Sequence, residues 1–282
     1  MPKATFSRST FISTDKTLIA LDSAGAGPGL VILPGSVVPP ERYQPLATLL
    51  SRSFTVHVLH RRGRAASGPQ TGDHTMAQEC DDVLAALDVT GATSVFGHSF
   101  GGLVAIQTAA RAGERRLDHV IAYDPAIAVH GELPTGFLPR FEAELDRRKH
   151  AAALTTLQQG LQVGGVFDRM PRLAALAVNW AFLHIPGGPA MAHNLHAVPG
   201  EVRAAIKIEA PAQSYASITT PALIMVGARS PQWLRQAGRD LAGTMPNAQL
   251  VTAEGFDHNG PLLHPGPVAE QVIRSSKAVR TV

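Results

Sequence analysis

Gly97-His98-Ser99-Phe100-Gly101-Gly102 decides the reading of this chain. The stretch fits Gly-x-Ser-x-Gly, a tight turn that presents a serine hydroxyl between a strand and a helix. Ala92-Thr93-Ser94-Val95-Phe96 reads as a short buried strand, and the run from Gly102 through Leu103, Val104 and Ile106 to Ala110 as an apolar helix. That context is what the pattern requires, because the serine must sit on a strained strand-to-helix turn. The glycines follow from the same constraint, since a Cβ at those positions collides with the neighbouring helix or strand. The competing reading is a serine in an ordinary βα turn.

Short apolar runs alternate with helical patterns on both sides of this turn. Residues 17–22 alternate like a half-exposed strand, and Leu30-Val31-Ile32-Leu33 is a continuous apolar run ending at Pro34-Gly35-Ser36, as in a central parallel strand. Residues 41–52 have helical spacing, 54–59 read as a strand, and 73–87 as a helix with Asp73 as its cap. Residues 119–123 form a further strand ending at Asp124-Pro125, after which the alternation stops. It resumes with a strand at 221–227, a helix at 232–242, a strand at 248–252 and a last helix around 268–275. This order predicts an α/β protein with a mostly parallel sheet and right-handed crossovers. Residues 1–135 and 210–282 make its core, and 136–209 enter as a helical cap within one continuous domain. Such an insertion at the carboxyl ends of parallel strands roofs the place where ligands bind.

The chain has 282 residues, 45% hydrophobic and 17% charged, which suits a globular protein with a sizeable core. Its net charge of +3 is spread thinly. Arg61-Arg62, Arg115-Arg116 and Arg147-Arg148-Lys149 are the densest runs; without interleaved aromatics they read as solvated faces, not a nucleic-acid surface. Cys80 is the only cysteine, so no intrachain disulfide forms and a small buried hydrophobe is its expected role. The first seven residues lack the apolar centre of a signal peptide, and no apolar run approaches the roughly 18 residues of a membrane span. The expectation is a cytoplasmic enzyme, monomer or homodimer, whose partner is a small-molecule substrate, with no nucleic acid and no membrane.

Four motifs in order make the chain similar to the α/β-hydrolase family over nearly its whole length. They are Leu33-Pro34-Gly35-Ser36 at the oxyanion turn, Arg61-Arg62-Gly63-Arg64-Ala65-Ala66-Ser67-Gly68 at the family's Arg-Gly-x-Gly-x-Ser loop, the turn at Ser99, and Gly255-Phe256-Asp257-His258. The resemblance implies the α/β-hydrolase fold with Ser99 as nucleophile. A serine hydroxyl needs a base to take its proton as it attacks. Of the twelve histidines, His258 is the candidate, because it follows the last strand and its place in the order is the family's. His193 and His196 share a helical stretch but lack a third ligand, so no metal site is expected. No cofactor is expected either, since Gly25 to Gly29 precedes a strand and carries no phosphate-loop Lys-Ser/Thr.

The third catalytic member departs from the family pattern. The loop after the next-to-last strand, Gly227-Ala228-Arg229-Ser230-Pro231-Gln232-Trp233, has no carboxylate, and Ser230 stands where an aspartate is expected. Asp124, after the strand that follows the Ser99 strand, is the alternative that some family branches use; its competing role is an aspartate starting a turn before proline. The oxyanion hole is expected from the Phe100 amide and one in the turn after Leu33, Ser36 ahead of Val37. Pro34-Gly35 replaces the family's usual His-Gly there. Arg62 and Arg64 read as braces of their loop ahead of an anion clamp. Val37, His98, Trp180 and Phe182 are candidate pocket residues, with Phe137, Leu138, Phe141 and Leu183 as further bulky side chains of the insertion. An apolar or mixed pocket with few fixed charges favours an uncharged ester, lactone or related carbonyl compound. The alternatives on the same fold are a lyase, cyclase or cofactor-free oxygenase, or a receptor-like binding protein with little turnover.

Overall fold

The computed structural model describes residues 4–112, 117–129, 133–163 and 165–281. Eight strands form one sheet: β1 (Ser7–Ile12), β2 (Leu18–Ala24), β3 (Gly29–Leu33), β4 (Thr55–His60), β5 (Ser94–His98), β6 (His119–Tyr123), β7 (Ala222–Gly227) and β8 (Ala248–Ala253), in the order β1-β2-β4-β3-β5-β6-β7-β8. β2 runs antiparallel to β1 and β4, and the strands from β4 through β8 are parallel. β5, β6 and β7 are buried along their whole length, which explains their unbroken apolar runs.

Eleven α-helices are described: α1 (Gln44–Leu50), α2 (Met76–Thr90), α3 (Phe100–Arg111), α4 (Leu138–Asp146), α5 (His150–Leu161), α6 (Arg172–Leu183), α7 (Gly188–Asn194), α8 (Val198–Lys207), α9 (Gln232–Thr244), α10 (Gly260–Leu263) and α11 (Pro265–Thr281). Side chains alternate between the sheet's faces with the two-residue period of a strand. Val31, Leu33, Val95, Val120 and Ala122 pack with α2, α3 and α9. Leu30, Ile32, Phe96, Ile121 and Tyr123 pack with α1 and α11 on the other side. Between β6 and β7 the described residues carry helices only, α4 to α8, and these enclose an apolar cluster of their own around Phe141, Leu154, Leu157 and Val198.

Register brings the chemistry-bearing loops to one edge. Leu33 pairs with Gly97, Gly97 with Ala122, and Ala122 with Ile224. The loops leaving β3, β5, β6 and β7 therefore start side by side.

Three expectations need correction. β1 is absent from the sequence reading because Ser7-Arg8-Ser9-Thr10 has no apolar alternation; it is an exposed edge strand whose Arg8 guanidinium clasps Asp22 at 2.8 and 3.0 Å. Helix α2 starts three residues later than 73, capped by Thr75: the Thr75 hydroxyl accepts from the Gln78 amide, and the Gln78 side chain accepts from the Thr75 amide. Arg61 and Arg62 are not a solvated face. Both are buried, Arg61 against Glu79 and Glu201, Arg62 against Asp82 and Asp15. Arg115 and Arg116 lie outside the described residues.

Candidate active site

Ser99 is held at φ 57 and ψ −122, a left-side backbone conformation that L-residues avoid. The neighbouring glycines make this possible. A Cβ on Gly97 would sit 2.2 Å from the Gly101 carbonyl oxygen, and one on Gly101 would sit 2.2 Å from that of Leu33. The turn is fixed from outside as well, since the Ser99 amide donates to the Tyr123 carbonyl at 3.0 Å and the Ser99 carbonyl accepts from Ala126 at 3.1 Å. Backbone strain of this kind persists only where the surroundings over-determine it.

Asp124 leaves the end of β6, also with positive φ (43), and is completely buried. Its amide donates to the Met225 carbonyl at 2.8 Å. Oδ1 accepts from the Gly227 amide at 3.1 Å, and Oδ2 accepts from the Ser230 hydroxyl. The same Oδ2 lies 3.1 Å from His258 Nδ1. With Nδ1–H given to this carboxylate, Nε2 is the ring's acceptor nitrogen. Ser230 thus supplies a hydroxyl to the carboxylate where the sequence pattern asks for a carboxylate of its own. The His258 loop is anchored by Tyr123, whose hydroxyl donates to the Asp257 carbonyl at 2.8 Å. Burial, with Asp124 and Asp257 nearby, pushes the Tyr123 phenol well up, so it stays a donor.

The turn after β3 is tied at four successive residues. Arg61 donates to the Pro34 carbonyl at 3.3 Å, and the Gly35 amide donates to the Tyr43 hydroxyl at 2.9 Å. Arg64 donates to the Ser36 carbonyl at 2.7 and 2.9 Å, and Asn194 to the Val37 carbonyl at 3.1 Å. Arg61 and Arg64 are in turn neutralised by Glu201 of α8, with Glu79 also on Arg61. Burial opposes the charge on Glu79, yet Arg61 and His74 hold its carboxyl well below the usual carboxylate range. The brace expected at Arg64 is therefore literal, while Arg62 pairs with acids away from this turn.

His98 links this turn to the His258 loop. Tyr43 Oη, which already accepts from Gly35, donates to His98 Nδ1 at 2.6 Å. His98 Nε2–H then donates to the His258 carbonyl at 2.8 Å. Burial and the adjacent His258 push the His98 pKa well below its ordinary 6.5, consistent with a neutral ring that both accepts and donates.

A cavity of about 300 Å³ opens over these loops, lined by Ser36, Val37, His98, Ser99, Phe100 and His258 from the sheet side. Leu154, Leu157, Phe182 and Val198 close it from above, with Gln158 and Asn179 as polar side chains among them. Trp180 is the exception among the expected pocket residues. It is 60% exposed and packs on His184, with ring centroids 4.3 Å apart. The buried stripe of α6 is Ala175, Asn179 and Leu183, at four-residue spacing, and Trp180 lies about 100° round from it. Phe141, Leu183 and the exposed pair His193 and His196 also serve elsewhere: the first two in the helical cluster, the histidines on the surface.

The sequence model of the alpha/beta hydrolase family matches residues 30–271. The chain belongs to the alpha/beta hydrolase family. An alpha/beta hydrolase from Sphaerobacter thermophilus is 29% identical, with a TM-score of 0.79 over 95% of this chain and 99% of that one. The enol-lactonase from Burkholderia xenovorans shares the fold at 20% identity, with a TM-score of 0.74 over 95% and 99%. A 2-heptyl-3-hydroxy-4-quinolone dioxygenase of Rhodococcus erythropolis is 35% identical over 109 residues, which span 38% of this chain and only 40% of that relative. Membership of this hydrolase family supports an enzyme. Among the described residues no helix is long and apolar enough to cross a membrane.

Two parts of this alpha/beta hydrolase site lie beyond the sequence reading. Tyr43 gives no signal, because its two partners are 8 and 55 residues away. Asn179 does give one: it is a lone amide on the apolar stripe of a helix, where a Leu or Ala is expected.

Proposed function

We propose that this protein is a serine hydrolase of small to medium, largely uncharged esters or lactones. The observation that carries the reading is the buried Asp124 carboxylate set against His258 Nδ1, beside a serine on a strained turn. Ser99 Oγ attacks the substrate carbonyl while His258 Nε2 takes its proton, and Asp124 stabilises the imidazolium. The developing oxyanion is received by the amides of Phe100 and Ser36. His258 returns the proton to the leaving alkoxide, leaving an acyl ester on Ser99. A water deprotonated by His258 then cleaves that ester, releasing the acid and restoring the hydroxyl. The mainly apolar cavity supports a neutral substrate.

A fluorophosphonate probe tests this directly. Stoichiometric labelling of Ser99, located by peptide mass spectrometry, together with turnover of short-chain nitrophenyl esters, is expected. Folded protein that stays unlabelled sinks the reading.

Similarity to the dioxygenase over 109 residues favours one second reading, a cofactor-free oxygenase on the same scaffold. There the His258–Asp124 pair removes a proton from a substrate hydroxyl and the resulting anion reacts with dioxygen, so Ser99 is no nucleophile. Oxygen consumption with a 3-hydroxy-4-quinolone that survives Ser99→Ala, without nitrophenyl ester hydrolysis, selects this reading over the first.

A further inference from the structure

The polar side chains above Ser99 are ordered by a chain of hydrogen bonds whose direction is forced. The Thr155 hydroxyl has one proton, and it goes back to the Ala151 carbonyl of the same helix at 2.8 Å. Thr155 Oγ1 is left as an acceptor, so the Asn179 group 2.9 Å from it is the NH₂. The second proton of that NH₂ goes to Gln158 Oε1 at 2.8 Å. Both hydrogens of Asn179 Nδ2 are then used, and the orientation of both carboxamides follows. Beyond these bonds Asn179 offers Oδ1 as an acceptor and Gln158 offers Nε2 as a donor pair.

Asn179 is 1% exposed, and both residues line the cavity that holds Ser99 and His258. An amide on a buried apolar stripe costs stability unless all its polar atoms are met. Here one acceptor and one donor are left, on two residues that line the cavity.

We propose that Asn179 and Gln158 form a specificity subsite that reads a secondary amide or lactam of the substrate, remote from the carbonyl that is cleaved. The substrate N–H donates to Asn179 Oδ1 and its C=O accepts from Gln158 Nε2. The rest of the substrate is apolar, to match Leu154, Leu157 and Phe182. A site built to hydrogen-bond a polar group rejects the analogue that lacks it, because its own buried groups are then left unpaired. This assignment deepens the hydrolase reading above and rests on it for the cleaved bond.

The test compares 4-nitrophenyl 6-acetamidohexanoate with 4-nitrophenyl nonanoate, which has the same chain length without the amide. Binding is measured by calorimetry on Ser99→Ala protein, so it does not depend on turnover. Adding Gln158→Met is expected to lower the amide-to-hydrocarbon affinity ratio about tenfold, the effect of one well-placed hydrogen bond. Gln158→Glu, which keeps the acceptor for Asn179 and replaces the donor with an oxygen, is expected to lower it at least as far. A ratio that changes less than threefold in both variants overturns the subsite. Absence of hydrolysis by the unmodified enzyme, with the ratio still sensitive to Gln158, counts against the hydrolase reading and leaves the subsite standing.

Discussion

In the floor of the cavity, residues 34–37 each have a backbone group held by a side chain, and the Asp124 carboxylate is held by Gly227 and Ser230. In the roof, the side chains that meet the cavity come from an apolar cluster, with two amides among them. The floor is made of directional contacts between loops that start at adjacent strand ends. The roof is made of non-directional packing between helices. Directional contacts fix where a transition state sits, while packing fixes only how much room there is. Changes in the floor should therefore strike kcat, and changes in the roof should strike KM and substrate choice.

The largest effect is expected at Asp124. Asp124→Asn should lower kcat for a nitrophenyl ester by about 10³- to 10⁴-fold, because the imidazole loses its fixed tautomer and the support of its positive charge. Circular dichroism should show the fold intact. Activity within tenfold of the parent enzyme breaks the assignment of the acid.

Tyr43→Phe probes the floor without touching a reacting group. It strips the partner from the Gly35 amide and from His98 Nδ1, both in the buried centre of the site. Two unmet buried groups should cost about 3 kcal/mol in a urea melt, with kcat reduced about tenfold if the loosened turn after β3 is the proposed oxyanion turn. A loss confined to KM would place this turn with the roof, contrary to the comparison.

Stability should also report on His98. Its folded-state pKa is depressed, so below the unfolded value of about 6.5 the unfolded chain takes up a proton that the folded protein refuses. Stability is complete above that pH and falls as pH drops through it, by up to about 1.4 kcal/mol per pH unit for one such proton. His57 and His150 are depressed by burial and add in the same direction. His98→Gln keeps an acceptor and a donor without the titration, so urea melts from pH 7 to 5 should show a shallower decline. Parallel curves for the two proteins would show that His98 does not contribute.

The smallest effects belong to the roof. Phe182→Ala should raise KM for aromatic esters about threefold to tenfold, as one apolar contact is lost, with kcat little changed. Trp180→Ala, one helical step away on the exposed face, should leave both constants within about twofold.

The contrast also explains what was legible in the sequence. Strands β3, β5, β6 and β7 show as apolar runs because burial on both faces leaves no other composition open to them. Ser99 shows through its glycines, which backbone collisions demand. Asp124 shows through the resemblance to a family some of whose branches place an acid after this strand, given that the loop after β7 holds none. The contacts of Tyr43, Arg61 and Asn194 were not legible, because each joins residues distant in the chain through geometry that no local pattern encodes. Trp180 misled for a related reason: bulk suggests a pocket, but only the helical phase of α6 says which way it points.

Glu201 anchors the roof to the floor. It projects from α8 onto Arg61 and Arg64, and Asn194, at the end of α7, holds the neighbouring Val37 carbonyl. Breaking a buried pair of this kind costs about 3–5 kcal/mol. A rigid lid lifting off in one piece would take from Arg64 its carboxylate partner and leave Arg61 with Glu79 alone. Substrate admission is cheaper if α4, α5 and α6 swing while α8 stays put, which makes the roof a door hung on one side.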